Sequence, residues 1–335
     1  MNPSVSGDRG SGVTLTGPPI FVVGSARSGT TLLYHMLLSS GVFARFFGEP
    51  AVFDLLVPRF GDLGNAKNRE RLMHSWIGSK MHQASGLEAR FIRSRVLDDC
   101  KSNADFLRIV MGEVAALQGV RRWAVWGPDN VLHMRAIKSQ LADARFIHMI
   151  RDGRDVALSM DTERFIRPFA WDRDKSLLVA ALHWRWKVGI GRHEGRNIAP
   201  DYLEVNFESL IDAPQKVLSC VSRFIDCELD YEQIRQNAVG AVKSTNSTFN
   251  SASQPLAANP VGRWKRLLTQ DQIASIESCI GDLLQELGYD LTMPLTADTF
   301  RWIKAIYPRF FSAKLWLKHR TKARYLTSID RMRAA

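Results

Sequence analysis

The amino-acid sequence predicts an α/β protein, a three-layer α/β/α fold with a central parallel sheet and a helical insertion. Short apolar, β-rich runs alternate with long amphipathic segments along the chain. Strands separated by helices usually form a parallel sheet that is covered on both faces. Two of the apolar runs also lead through a glycine-rich or polar turn directly into a helical pattern, at 20–39 and 145–160.

Each element follows from its local pattern. The predicted strands are IFVVG at 20–24, RWAVW at 122–126, RFIHMI at 145–150 and YLEVNF at 202–207. The apolar spacing of TTLLYHMLLSSG predicts the first helix, with Gly41 as its stop signal. Longer helical segments are predicted at 65–83, 103–119, 174–192 and 269–287. The stretch from about 51 to 120 is interpreted as a helical insertion between the first two strands.

Composition limits the class of protein. The 335 residues are 45% hydrophobic and 24% charged, which is typical of a globular chain with a sizeable core. The four cysteines are scattered without a close-spaced pair, a pattern that favours a reducing compartment over a zinc site or a disulfide framework. Neither a membrane-spanning run nor an apolar signal core is found. We therefore expect a cytoplasmic protein with a leader over 1–17 and one domain over 18–292.

The net charge of +11 is concentrated in a C-terminal extension over 293–335. Residues 301–335 carry ten Lys or Arg against one acid, Asp330, so the rest of the chain sums to about +2. Residues 300–326 interleave aromatic and cationic side chains, and we expect Pro308 to divide them into two helical pieces. Such a basic amphipathic segment suits an anionic membrane surface or an acidic partner. A packed terminal helix with solvated cations is the alternative. Nucleic acid is disfavoured because the charge is confined to the tail.

The turn after the first strand has the build of an anion-binding loop. In GSARSGTTLL, Gly24 and Gly29 have the separation found in a Walker loop, but Thr30 stands where that loop has its lysine. A cation, Arg27, lies inside the loop instead. Backbone N–H groups from Ser28 to Thr31 are placed to bind an anion at a helix N-terminus. The loop therefore predicts an anion site without provision for Mg²⁺–triphosphate chemistry, the alternative being a glycine turn without a ligand.

These residues carry a family resemblance. GSARSGTTLL resembles the 5′-phosphosulfate loop of sulfotransferases that use 3′-phosphoadenosine-5′-phosphosulfate (PAPS), in the form found in tyrosylprotein sulfotransferases and many bacterial relatives. RFIHMIRDGRDVALSM resembles the family's second motif, in which Arg151 and Ser159 would hold the 3′-phosphate of the cofactor. The resemblance implies a P-loop-like fold. The alternative for the second motif is a surface cluster around Arg151 whose charges pair with one another.

Weaker matches extend the resemblance over residues 18–291. Phe207 stands where relatives commonly have tyrosine, in a position that the resemblance assigns to cofactor binding. Arg263, in a Gly-Arg-Trp-Lys turn, would reach the phosphate or sulfate from a loop, or would be a surface residue beside a packed Trp264. Trp126 stands where relatives often have a lysine that touches the sulfate, and Arg263 or Lys265 would then supply that charge.

The resemblance implies in-line transfer of a sulfuryl group from PAPS, with 3′,5′-adenosine bisphosphate (PAP) as product and no metal requirement. The acceptor would be a hydroxyl, or as the weaker option an amine, of a small molecule, a lipid or a glycan. Arg27 and the loop amides would stabilise developing charge, while Thr30 and Thr31 bind the 5′-phosphate. Two other hypotheses are a P-loop kinase for a small molecule and a non-catalytic nucleotide-binding protein that acts through its basic tail.

Glu49 is the first candidate for the general base. It lies in FFGEPAVF, and by resemblance a Gly-Glu element at this point supplies the base, although the tyrosylprotein enzymes have two consecutive glutamates where this chain has Glu49 and Pro50. Neighbouring phenylalanines (Phe46, Phe47 and Phe53) could desolvate the carboxylate. A surface carboxylate is the alternative interpretation. His133 is the second candidate base, and a hydrogen-bonded structural histidine is its alternative.

Overall fold

The computed structural model describes residues 15–166, 176–243, 260–294 and 301–321, with side chains omitted at 301–303 and 318–321. Residues 1–14 of the predicted leader lie outside the described residues, as do 295–300 and 322–335 of the predicted extension. The boundaries of the leader, the domain and the extension stay predictions.

A four-stranded parallel sheet forms the centre of the protein, as predicted. Its strands are β1 (Ile20–Gly24), β2 (Ala124–Trp126), β3 (Arg145–Ile150) and β4 (Tyr202–Asn206). They lie in the order β2-β1-β3-β4, and every neighbouring pair is parallel. Val22 lies opposite Trp126, and Gly24 lies opposite Met149. All four strands therefore end at one edge of the sheet, the edge at which open α/β sheets bind their ligands.

Fifteen helices are found in the described part of the chain. Their bounds are α1 Thr30–Ser39, α2 Val57–Phe60, α3 Ala66–Trp76, α4 Lys80–Ser85, α5 Ala89–Asp99, α6 Asn103–Leu117, α7 Met134–Gln140, α8 Gly153–Thr162, α9 Ser176–Asn197, α10 Phe207–Asp212, α11 Pro214–Ile225, α12 Tyr231–Gln236, α13 Trp264–Leu267, α14 Gln270–Glu286 and α15 Arg301–Thr321. Helices α2 to α6 and a π-helical turn at Val52–Leu56 fall in the stretch interpreted as an insertion.

Both faces of the sheet are covered, which gives the predicted three layers. Ile20 and Val22 of β1 pack with α1, α10, α11 and α12 on one face. Phe21 and Val23 point to the other face, which is covered by residues of α6 and α7. A further buried cluster joins α8, α9 and α14 to the end of β3 and to Ala26 of the loop after β1. Burial on both faces explains why β1 reads as a continuous apolar run.

Two predicted boundaries differ from the structure for local reasons. The single helix expected at 65–83 is divided into α3 and α4, because Gly78 adopts a positive φ of 81° between them. The strand expected at 202–207 ends at Asn206, whose side chain accepts a hydrogen bond from Ser209 N and so begins α10. Phe207 is therefore the first residue of a helix.

The prediction that Pro308 divides the C-terminal segment is wrong. Helix α15 runs without interruption from Arg301 to Thr321, with Pro308 inside it. Proline removes one backbone hydrogen bond and crowds the preceding turn. Packing on both sides of Pro308 offsets that cost, because Tyr307 and Phe311 hold the helix against α9, where the Phe311 ring stacks on Trp186 with centroids 5.5 Å apart.

Candidate active site

The loop between β1 and α1 has a backbone that only a few residue types can adopt. Gly24, Arg27 and Gly29 have φ angles of 150°, 69° and 89°. Gly29 is the N-cap of α1, and a Cβ atom there would lie 2.3 Å from Cδ2 of Phe207, so no other residue fits. Arg27 holds a left-handed conformation without being glycine, which costs about 1 kcal/mol or more. Strain of this kind is typical of a ligand-binding loop.

Two serine hydroxyls in the loop are fully buried without a hydrogen-bond partner. Ser25 and Ser28 are both 0% exposed, and neither Oγ atom has a partner in the described part of the structure. A buried unsatisfied polar group costs roughly 1–3 kcal/mol. An anion bound at the N-terminus of α1 would satisfy such donors. The residues present therefore fit the phosphate-bearing group that the loop resemblance implies.

The structure brings the two predicted anion-binding motifs together. Nε of Arg27 donates a 3.0 Å hydrogen bond to Oγ of Ser159. The guanidinium of Arg151 donates to the carbonyl oxygens of Arg27 at 3.0 Å and of Pro260 at 2.5 Å, while its own Nε has no partner among the described residues. Its guanidinium carbon lies 4.6 Å from the ring centroid of Phe207. Phe207 thus supports both Gly29 and Arg151.

Three arginines converge at this point. Burial lowers the pKa of Arg27, and the positive charges of Arg151 and Arg263 lower it further, against an opposing effect of Glu163. Burial is also the largest cause of the lowered pKa of Arg151, to which Arg263 again contributes. Mutual repulsion among neighbouring cations is relieved when an anion binds between them. Arg263 therefore belongs to the same electropositive site.

The turn that carries Arg263 is held by acidic residues at the start of α8. The carboxylate of Asp155 accepts hydrogen bonds from Gly262 N at 2.7 Å and Trp264 N at 2.9 Å. Oδ2 of Asp152 accepts a 3.0 Å bond from the indole of Trp264. These acids are buried, so the charges around Arg151 do not form a surface cluster, although Asp155 pairs with Arg151 and Asp152 pairs with Arg154. Sequence reasoning missed their role, although two acids in the first turn of a helix signalled a capping or docking function.

The first base candidate lies three residues after a segment that α1 holds through a hydrogen bond. Glu49 is 9% exposed and follows Phe46, whose carbonyl accepts a 2.6 Å hydrogen bond from the Tyr34 hydroxyl. Phe46 and Phe53 are buried, as the desolvation argument expects. Phe47, in contrast, is 55% exposed and therefore contributes little to desolvation.

The second base candidate is a partly buried, neutral histidine. Burial lowers the pKa of His133 to about 4, with the Lys187 charge lowering it further and Asp129 opposing the shift. Its Nε2 atom is buried and has no partner among the described residues. A group with this pKa is a weak proton acceptor near neutral pH.

Neither a metal cluster nor a membrane span is found in the described part of the chain. Within residues 15–166, 176–243, 260–294 and 301–321, no three His, Cys, Asp or Glu side chains gather as metal ligands would. The helices in those ranges are also too short or too polar to cross a bilayer. The four cysteines, all of them described, are free thiols.

Comparison with known proteins gives the family. The profile of the Sulfotransferase family matches residues 18–232. A provisionally named protein-tyrosine sulfotransferase of Caenorhabditis briggsae is 25% identical over 278 residues, which are 81% of this chain and 89% of that protein. Protein-tyrosine sulfotransferase A of Caenorhabditis elegans is 24% identical over 288 residues, 83% of this chain and 69% of the relative.

A solved structure has a similar fold. The sulfotransferase domain from the olefin synthase of Synechococcus PCC 7002 superposes with a TM-score of 0.56 at 20% sequence identity, covering 83% of this chain and 97% of that domain. The parallel sheet, the strained loop after β1 and the family match agree with one another. The chain belongs to the Sulfotransferase family and is a transferase of sulfuryl groups.

Proposed function

We propose that the protein transfers a sulfuryl group from PAPS to a hydroxyl group of a small-molecule, lipid or glycan acceptor. The observation that best supports this proposal is that Arg27, Arg151 and Ser159 lie together. They lie beside a loop in which the buried hydroxyls of Ser25 and Ser28 lack partners among the described residues. Two phosphates at opposite ends of one nucleotide would account for two anion motifs that the fold joins. A nucleoside triphosphate would need the lysine that Thr30 replaces.

The residues divide the binding of the donor. The N–H groups at the start of α1, with the hydroxyls of Thr30 and Thr31, would hold the 5′-phosphate. Arg151 and Ser159 would hold the 3′-phosphate, and Arg263 would close over the site from its turn. PAPS supplies an activated sulfuryl group whose leaving group is a phosphate. Arg27 belongs to the loop, bonds to Ser159 of the second motif and would stabilise the negative charge that develops on that phosphate.

Glu49 is the better candidate for the proton acceptor. Its carboxylate is buried on a segment that α1 positions through Tyr34. His133 keeps a pKa of about 4 and is a poor match for proton abstraction near neutral pH. In-line attack by a hydroxyl would pass its proton to Glu49 while Arg27 neutralises the opposite end of the reacting bond.

Binding of the product nucleotide tests this function. Calorimetry of the full chain with PAP should give a one-site isotherm that Arg151→Ala abolishes, because the guanidinium would be replaced by an apolar methyl. Mg·ATP should give no thermal shift, whereas a kinase would be stabilised by it. Absence of PAP binding by the unmodified chain would overturn the proposal. Acceptors are then screened with PAPS, including a tyrosine peptide, since relatives are named for protein tyrosine.

We also propose that the protein is cytoplasmic and contacts an anionic membrane surface through α15. The outward face of this helix exposes Ile306, Trp316 and Leu317 at 53%, 56% and 54%, together with the cation Arg309. The sequence continues with further cations through Arg324 and no acid before Asp330. Exposed apolar groups among cations suit the surface of an anionic bilayer. Four free, scattered cysteines are in keeping with a reducing compartment.

A further inference from the structure

The turn after β2 pairs with a cation that comes from another element. Residues 124–133, which form β2 and the turn after it, include no Lys or Arg. Helix α9 supplies the charge, because Nζ of Lys187 forms an ion pair with Oδ1 of Asp129. The Lys187 side chain is 2% exposed, whereas the Asp129 side chain is 36% exposed. A buried ammonium group thus lies behind a carboxylate that is open to solvent.

Contacts on either side of Lys187 place it along the sheet. Three residues earlier, the indole N–H of Trp184 donates a 3.1 Å hydrogen bond to Arg151 O, just past the end of β3. Four residues later, a Cβ atom on Gly191 would lie 2.4 Å from Cε1 of His148, in the middle of β3. Positions three and four apart share one face of a helix. Lys187 therefore faces the sheet between these two levels.

The beginning of the anion loop lies at the same height along the sheet as Lys187. In the strand register, Val23 lies opposite His148 and Gly24 lies opposite Met149. The side chain of Lys187 is thus placed alongside Gly24 and the residue that follows it. Ala26 of the loop belongs to the same buried cluster as the neighbours of Lys187 on α9. Asp129 lies near this level as well, because β2 pairs with β1 and the turn after β2 contacts β1.

Aromatic and imidazole side chains lie near the Lys187 ammonium group. Its Nζ atom lies 5.4 Å from the ring centroid of Trp186. The two imidazoles within electrostatic reach, His133 and His183, are neutral near pH 7, because burial lowers their pKa values to about 4 and about 3 and the charge of Lys187 contributes to both shifts. An ion pair in which one charge is buried is commonly no more stabilising than an apolar pair. Packing alone therefore does not account for this one.

We propose that Lys187 is a catalytic residue whose ammonium group contacts the transferred sulfuryl group on the acceptor side of the loop, with Asp129 as its counter-ion. This inference rests on the proposed function. As the sulfur–oxygen bond to the acceptor forms, the bond from sulfur to the phosphate oxygen breaks and its electron pair leaves on that oxygen. The acceptor proton passes to Glu49. Lys187 transfers no proton in this step, and its ammonium group neutralises charge on the sulfuryl oxygens.

The test compares the full-length protein with Lys187→Met and Lys187→Arg. Dissociation constants for PAP and PAPS are measured by calorimetry, and sulfuryl transfer is followed as PAP-dependent release of 4-nitrophenol from 4-nitrophenyl sulfate. Lys187→Met should bind PAP within about twofold of the unmodified protein, bind PAPS about tenfold more weakly and lose about 100-fold in turnover. Lys187→Arg should recover part of both losses. Arg185→Met is the matched control, since Arg185 pairs with Asp282 on the exposed side of α9.

A double variant separates catalysis from packing. Asp129→Asn combined with Lys187→Met removes both charges of the ion pair, so it should recover the melting temperature that either single change lowers. Turnover should stay low if Lys187 contacts the sulfuryl group. Unmodified turnover in folded Lys187→Met, or recovery of turnover in the double variant, would overturn the inference. If the probe is not turned over at all, equal losses of PAP and PAPS affinity would do so. Failure of the unmodified protein to bind PAP would instead refute the proposed function.

Discussion

The side chains of Arg27 and Ser159 meet through a 3.0 Å hydrogen bond, although 132 positions separate them in the sequence. One residue belongs to the loop after β1 and the other to the middle of α8, the helix after β3. Because β1 and β3 are neighbours in the sheet, the fold joins the two anion-binding motifs directly. Binding of one ligand should therefore depend on both motifs together.

Ser159→Ala should weaken PAP binding by about tenfold. The change removes a hydroxyl that would bind phosphate and that also orients Arg27, and hydrogen bonds to charged groups contribute about 1.5–3 kcal/mol. Calorimetry measures the loss. Ser278→Ala serves as the control, because the Ser278 hydroxyl bonds only within α14 and to its neighbour among the described residues. Equal affinities for Ser159→Ala and the unmodified chain would contradict the assignment.

Asp155→Asn should weaken PAP binding and lower stability together. The asparagine can still accept one hydrogen bond from the turn, but its amide nitrogen cannot accept the second, so Gly262 N or Trp264 N is left unsatisfied at a cost of about 1–3 kcal/mol. The loosened turn carries Arg263 away from the site. Thermal unfolding and calorimetry on one preparation measure both effects. Unchanged PAP affinity at reduced stability would show that the turn does not take part in binding.

Acidification should destabilise the protein through His133. The folded-state pKa of about 4 lies below the ordinary value of 6.5, so the unfolded chain binds more protons between these values. The stability contribution is present above pH 6.5 and is lost as the pH falls toward 4. It amounts to at most about 3 kcal/mol. Denaturant unfolding of the unmodified chain and of His133→Gln at pH 7 and pH 5 checks this. The free energy of unfolding of the unmodified chain, relative to that of His133→Gln, should be lower at pH 5 than at pH 7.

Glu49→Gln should lower turnover by about 100-fold or more and leave PAP affinity within about twofold, because a general base contributes roughly 10²–10⁴ to the rate. Turnover is measured with 4-nitrophenyl sulfate and PAP, and PAP affinity is measured by calorimetry. Glu70→Gln, on the exposed surface of α3, is the control for loss of a carboxylate. A parallel loss of affinity and turnover would assign Glu49 to donor binding instead.

Trp316→Glu should reduce binding to vesicles that contain phosphatidylserine. It replaces an exposed aromatic group on α15 by an anion, and each charge near an anionic surface contributes about 1 kcal/mol. Co-sedimentation measures binding, and phosphatidylcholine vesicles show whether anionic lipid is needed. PAP affinity should not change. Equal binding to both kinds of vesicle would rule out a requirement for anionic lipid, and no binding to either would rule out the membrane contact.

The sequence was most informative where a site residue lies next to the strand that positions it. Gly29 lies five residues after β1 and Arg151 lies directly after β3, so the loop pattern and the family resemblance were sufficient to single them out. Asp155 and Lys187 have partners 107 and 58 positions away, and only the packing of α8 and α9 reveals these contacts. Pro308 failed as a helix breaker for the same reason, because tertiary packing outweighed a local preference.

The spacing of contacts along α9 also limits how this chain can change in length. Trp184 and Lys187 contact Arg151 and Asp129, and Gly191 packs on His148, at successive turns of one continuous helix. One inserted residue would rotate everything beyond it by about 100° and move the Lys187 ammonium group away from Asp129. Insertions between 176 and 187, or between 187 and 191, should therefore abolish activity. Those near Asn197, where α9 ends, should be accepted.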